Sequence, residues 1–84
     1  MLTILFFARI REQLGVDQLS LPLSSATMTI DDLLQQLVTT NEPYWAEVLL
    51  ADNVVKAVNQ QVVKTGHVLS DDDEVAFFPP VTGG

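Results

Sequence analysis

Thr29-Ile30-Asp31-Asp32-Leu33-Leu34-Gln35-Gln36-Leu37-Val38 is the stretch from which the fold of this chain can be read. Ile30, Leu33, Leu34, Leu37 and Val38 recur at the spacing that lines one side of an α-helix, so the run carries a single apolar stripe. Thr29 can cap the helix start with its hydroxyl. Asp31 and Asp32 then put negative charge in the first turn, where it meets the positive end of the helix dipole. Thr39-Thr40-Asn41 weakens the helix and Pro43 ends it, because proline lacks the N–H that the next turn needs. Pro43 to Leu50 fits a short second helix with Pro43 at its first position.

On the N-terminal side, Leu2-Thr3-Ile4-Leu5-Phe6-Phe7-Ala8 is almost wholly apolar, as in a central strand covered on both faces. Leu2, Ile4, Phe6 and Ala8 share one face of it, and Leu5 and Phe7 share the other. Arg9 to Gly15 reads as a polar connection closing at a turn glycine. Gln18 to Leu23 alternates with period two and is expected to be a half-buried strand, with Pro22 placing it at an edge. On the C-terminal side, Val54–Val58 and Gln61–Lys64 read as short strands around an Asn59-Gln60 turn. Asp71-Asp72-Asp73 forms a solvated loop, and Glu74–Phe78 is a last strand stopped by Pro79-Pro80.

Strand, strand, helix and three further strands is the order of an α+β fold of the β-grasp type, a mixed sheet wrapped around one main helix. A right-handed crossover places the last strand parallel to the first. Leu2, Ile4, Phe6, Ile30, Leu33, Leu34 and Leu37 are then the expected core. The division expected is one domain over residues 1–78 and an extended tail over 79–84.

Composition narrows the function classes. Eighty-four residues suffice for one domain, and 48% hydrophobic residues suffice for its core. A net charge of −7, from eleven acidic and four basic residues, opposes binding to the phosphates of nucleic acid. No apolar run approaches the roughly 20 residues of a membrane span. Met1 to Ala8 lacks the basic start of a secretory signal, so a cytoplasmic protein is expected. Without cysteine there is no thiol nucleophile, disulfide or thiolate-held metal centre. The acidic run at 71–74 lacks the spacing and central glycine of a calcium loop. His67, the single histidine, has no nucleophile at a suggestive spacing and reads as a loop residue.

The last residues, Phe78-Pro79-Pro80-Val81-Thr82-Gly83-Gly84, carry the chemistry. Two prolines fix φ and remove donors, so strand pairing cannot continue. Four residues beyond Pro80 reach at most about 14 Å, enough to enter a neighbour's cleft. Two glycines permit close approach in a narrow channel and leave the carboxylate unobstructed. A bare carboxylate is a poor acyl donor, but joined to AMP it becomes a mixed anhydride that a sulfur nucleophile can attack. The product is a thiocarboxylate on Gly84. A Gly-Gly end alone reads more readily as a plain flexible terminus. Its continuity with a strand and a double-proline stop argues for a device. Nothing in the chain resembles a nucleotide-binding loop, so activation needs a partner enzyme.

Asp73-Glu74-Val75-Ala76-Phe77-Phe78-Pro79-Pro80-Val81-Thr82-Gly83-Gly84 resembles the terminal signature of molybdopterin synthase small subunits. Leu5-Phe6-Phe7-Ala8, Arg11-Glu12 and Ala57-Val58-Asn59-Gln60 extend the resemblance over the whole chain. Asp72 departs from it, because the family usually has glycine there. The resemblance implies a ubiquitin-like sulfur carrier of molybdenum cofactor biosynthesis. Its tail is adenylated by a ubiquitin-activating-like adenylyltransferase that uses ATP, and a sulfurtransferase system then converts it to the thiocarboxylate. Sulfur passes to cyclic pyranopterin monophosphate in the large subunit of a 2+2 heterotetramer. Gly84 carries the sulfur and Gly83 is its spacer; no cofactor or metal is expected on this chain, and no activity alone.

Leu5, Phe7, Val62 and Phe78 are candidates for an apolar patch on the face away from the main helix, where a partner would dock. The alternative is that Pro43–Leu50, with Tyr44 and Trp45, covers them. Pro79, Pro80, Val81 and Thr82 join the expected interface as the approach to the glycines. Arg11 is a further candidate, set against an ordinary surface role. Competing functions are a thiamine-pathway sulfur carrier, a ubiquitin-like modifier and a plain β-grasp binding module. The acceptor that takes up the sulfur separates the first two from the molybdopterin reading. Charge and missing cysteines oppose the RNA-binding and ferredoxin forms of the third.

Overall fold

A computed structural model describes residues 1–51 and 53–79. The elements run β1 (Leu2–Phe6), α1 (Ala8–Leu14), β2 (Gln18–Leu21), α2 (Ile30–Thr39), α3 (Tyr44–Leu49), β3 (Val55–Val58), β4 (Gln61–Val62) and β5 (Glu74–Phe78). They form one five-stranded sheet in the order β2-β1-β5-β3-β4. β1 pairs antiparallel with β2 and parallel with β5, and β3 pairs antiparallel with β5 and β4. This is the ubiquitin-like β-grasp arrangement, with the last strand beside the first at the centre.

α2 begins as its sequence dictates. Thr29 Oγ1 accepts the Asp32 N–H at 3.2 Å, and Asp32 Oδ2 accepts the Thr29 N–H at 2.9 Å. Two donors that the first turn cannot satisfy internally are thereby paired. At the other end Thr40 Oγ1 donates to the Gln36 carbonyl, and Asn41 Nδ2 donates to that of Leu37. Thr29→Ala should cost about 1 kcal/mol. An unchanged urea midpoint would show that the box contributes nothing.

The side chains of β1 alternate cleanly. Leu2, Ile4 and Phe6 are buried in one cluster with Val75 and Phe77 of β5 and Val58 of β3. The same cluster takes Ile30, Leu33, Leu34 and Leu37 from α2, Trp45 and Leu49 from α3, and Ile10 and Leu14 from α1. All seven core residues expected from the sequence are buried. Phe6 is the centre, edge-on to Trp45 with ring centroids 5.7 Å apart and stacked on Phe77 at 5.9 Å.

The structure corrects several boundaries. Arg9 to Gly15 is no polar connection; Ala8–Leu14 is a helix with Ile10 and Leu14 buried. Two apolar residues four apart occupy one helix face, but seven residues are too few for that repeat to stand out. Gly15 is the left-handed cap of this helix at φ 73°, and its N–H donates to the Arg11 carbonyl. Ala8 therefore leaves the β1 face to open α1. β2 stops at Leu21, because Pro22 brings no donor. β3 starts at Val55 rather than Val54, and β4 ends at Val62 rather than Lys64.

The turns before β5 hold it in place. Asn59 and Gln60 both have positive φ, 51° and 70°, which matches the twist of a two-residue hairpin. The Asn59 side chain donates to Asp73 at 2.8 Å and accepts the Glu74 N–H at 3.0 Å, clamping this hairpin to the start of β5. Met1 contributes a second tie, its ammonium lying 2.6 Å from Asp71. That hydrogen bond raises the pKa of the amine and lowers that of the Asp71 carboxyl. Between them Asp72 adopts φ 68°, the region where glycine is free of steric cost. The glycine that the resemblance implies at this position would be free of that steric cost, and aspartate adopts the same backbone conformation. Asp72→Gly should raise stability by a few tenths to about 1 kcal/mol, read from the melting curve. A fall would show that the carboxylate matters more than the strain.

Candidate functional site

β5 is the strand from which the chain runs on to Pro79, the last described residue. Pairing on both sides makes β5 rigid, and period-two alternation divides it between two environments. Val75 and Phe77 point into the core, whereas Glu74, Ala76 and Phe78 point to the opposite face of the sheet. Registers extend that face sideways. Leu5 lies beside Ala76, Ala76 beside Ala57, and Ala57 beside Val62. One row further along, Phe78 lies beside Val55. Phe7 meets Phe78 edge-on, with ring centroids 5.7 Å apart at 61°.

The result is an apolar face running across four strands. Val62 is 71% exposed and Phe7 41%, while Leu5, Val55 and Phe78 are partly exposed. The short helix α3 does not cover it, because Trp45 is turned the other way against Phe6. Leu5, Phe7, Val62 and Phe78 are therefore brought together as the sequence suggested. Val55, Ala57 and Ala76 complete the surface and were missed. Ala57 and Ala76 are buried yet stand outside the core cluster, lying low between taller neighbours. Their signal was available, since each sits at the same alternation phase as Val55 or Phe78.

Pro79 follows Phe78 and is half-buried. It lines a groove of about 720 Å³ with Ala8, Arg9 and Ile10 of α1 and Val48 of α3. Arg11 lies in the last turn of α1, exposed, where its charge suits the negative end of the helix. The expected contacts at Pro80, Val81 and Thr82, the expected sulfur-bearing Gly84 and its spacer Gly83 lie outside the described residues. Among the described residues the ion pairs are those of the Met1 ammonium with Asp71 and Asp72. No group of three potential metal ligands occurs among them, and no helix is long and apolar enough to cross a membrane. His67 is an exposed loop residue whose carbonyl accepts the Ile30 N–H.

A family profile, that of the ThiS family, matches residues 4–84, nearly the whole chain. The chain belongs to the ThiS family. Within it, the chain is 42% identical over 84 residues to the molybdopterin synthase sulfur carrier subunit of Escherichia coli, covering all of both chains. The protein of the same name from Haemophilus influenzae is 37% identical, again over the full length of both. Among solved structures, SAMP1 from Haloferax volcanii superimposes with a TM-score of 0.82 at 26% identity, covering 99% of this chain and 98% of that one. A putative molybdopterin converting factor subunit 1 from Pyrococcus furiosus gives 0.75 at 27%, covering 95% and 97%. The resemblance read from the terminal signature therefore holds along the whole ThiS-family chain, and the ubiquitin-like fold holds with it.

Proposed function

We propose that this chain is the sulfur carrier of a molybdopterin synthase, loaded and unloaded at its terminal glycine. The observation that carries this reading is the end-to-end similarity to two proteins named as such subunits, which includes the Gly83-Gly84 end. In the first step the Gly84 carboxylate attacks the α-phosphorus of ATP, and pyrophosphate leaves. In the second, a sulfur nucleophile supplied by a sulfurtransferase attacks the acyl carbon, and AMP departs with the bonding pair. The thiocarboxylate then enters the large subunit, where its sulfur displaces an oxygen from a carbon of cyclic pyranopterin monophosphate to give a thioester. Water cleaves the acyl–sulfur bond, leaving the sulfur on the substrate and returning the Gly84 carboxylate. Two such deliveries make the dithiolene, in an assembly of two large and two small subunits. This chain supplies the sulfur, and the large subunit supplies the catalytic side chains.

The apolar face around Leu5, Phe7, Val62 and Phe78 is the docking surface in this account. A face of this kind, with two aromatic rings in contact at the end of β5, provides anchors of the type on which binding energy concentrates. Phe78→Ala should weaken binding to the large subunit by roughly 30-fold or more, since central aromatic anchors contribute about 2 kcal/mol or above. The fold should persist, because Phe78 lies outside the core cluster. Unchanged affinity in a titration would remove the face from the account.

Loading is tested by incubating the chain with ATP, a ubiquitin-activating-like enzyme and a sulfide source. Intact mass should rise by about 16 Da, the difference between sulfur and oxygen. Covalent attachment to other proteins instead, with no such rise, would favour a modifier, the role named for another Haloferax volcanii structure of this fold. Sulfur appearing in a thiazole precursor rather than a dithiolene would favour a thiamine-pathway carrier.

A further inference from the structure

Among the described residues four other than glycine have positive φ. Asn59, Gln60 and Asp72 sit in turns, where a left-handed residue is ordinary. Ala8, at φ 51°, sits at the junction of β1 and α1. The left-handed region is sterically unfavourable for alanine, whose Cβ crowds the following carbonyl oxygen. Packing of its methyl does not account for this, since Ala8 is exposed. Outliers of this kind persist where the surroundings require them, and they cluster at working parts of proteins.

What the turn achieves is geometric. Phe7 is still extended, at φ −121° and ψ 155°, and its N–H donates to the Phe77 carbonyl at 3.1 Å. One residue later the chain has reversed into α1, and the Phe7 carbonyl accepts the Arg11 N–H. The first turn of α1 thereby comes to line the same groove as Pro79. Were Ala8 extended, the parallel register that sets Phe6 opposite Phe77 would carry β1 on alongside Pro79, and the first turn of α1 could not form there.

The geometry points to Ala8 as a positioning residue for the end of β5: its left-handed turn halts β1 level with that end and sets α1 across from Pro79, fixing one wall of the groove that Pro79 lines. The inference rests on the proposal that the tail delivers sulfur to a partner.

The test is a graded series, Ala8→Gly, Ala8→Asn, Ala8→Ser and Ala8→Val, ordered by falling tolerance of positive φ. A nitroxide at Thr82→Cys, the single thiol in each variant, reports through amide line broadening where the tail points. The second readout is single-turnover sulfur transfer from thiocarboxylated, unlabelled chain to saturating large subunit. Glycine and asparagine should keep the broadening pattern and transfer within about two-fold of the parent. Valine should change the pattern and slow transfer by about five- to twenty-fold at saturation, the scale expected for a misdirected reactant. If the valine variant does not fold, serine should show a smaller loss of the same kind. A folded valine or serine variant with the parent's pattern and saturated rate overturns the inference. So does a rate that follows melting temperature rather than tolerance of positive φ. If the parent itself transfers no sulfur, the functional proposal fails, and the broadening patterns still decide the role of Ala8.

Discussion

Removing Gly84, or adding one residue after it, should abolish sulfur delivery while leaving the fold and partner binding intact. One residue of extended chain moves the reacting carbon by about 3.5 Å. Misplacement by about 1 Å already costs on the order of 100-fold where reactants must be held in line. A whole-residue shift should therefore lower transfer by at least about 1,000-fold. The added residue also places a side chain in a channel that suits glycine, and it moves the acyl group away from the activating enzyme. Intact mass after loading and dithiolene formation with the large subunit are the two measurements. Loss of both with undiminished binding is the expected pattern. A truncated or extended chain that still assembled the cofactor at the parental rate would refute terminal-glycine chemistry altogether.

Phe6→Ala should produce the largest loss of stability, about 4 kcal/mol. Phe6 is almost wholly buried, and its ring contacts Trp45 edge-on and Phe77 face-on. Truncation forfeits the transfer of the ring from water and leaves a cavity that two large neighbours cannot close. Small domains sit near the low end of the usual range of about 5–15 kcal/mol, so such a loss leaves little margin. Urea unfolding should show a far lower midpoint, and much of the protein should be unfolded at 37 °C. Leu5→Ala, one residue away and facing outward, should cost much less. Equal effects at the two positions would contradict the division of the sheet into a core face and a docking face.

How much of this was legible in the sequence depended on the length of each pattern. α2 spans ten residues with a cap, early acids and a full apolar stripe, so its start and core face could be read directly. β1 and β5 were legible because strong β-formers were bounded by a clear stop. α1 was not, because its apolar signal is reduced to Ile10 and Leu14 and its polar residues suit a loop equally well. The turn at Ala8 was invisible, since nothing about alanine signals a positive φ. On the docking face, Leu5, Phe7, Val62 and Phe78 stood out by size. Ala57 and Ala76 did not, because an alanine in a strand is assigned to a face only once its register is known. The terminal glycines were singled out by chemistry, not by any pattern of folding.

β5 is the middle strand of the sheet and, among the described residues, the last element in chain order. Until it is in place, β1 and β3 have no common neighbour, and the residues lining the interior remain open to water. Folding must therefore wait for β5, through contacts of long sequence separation. A copy ending before Glu74 should fail to fold, so the strand from which the last residues depart is also the one that closes the sheet.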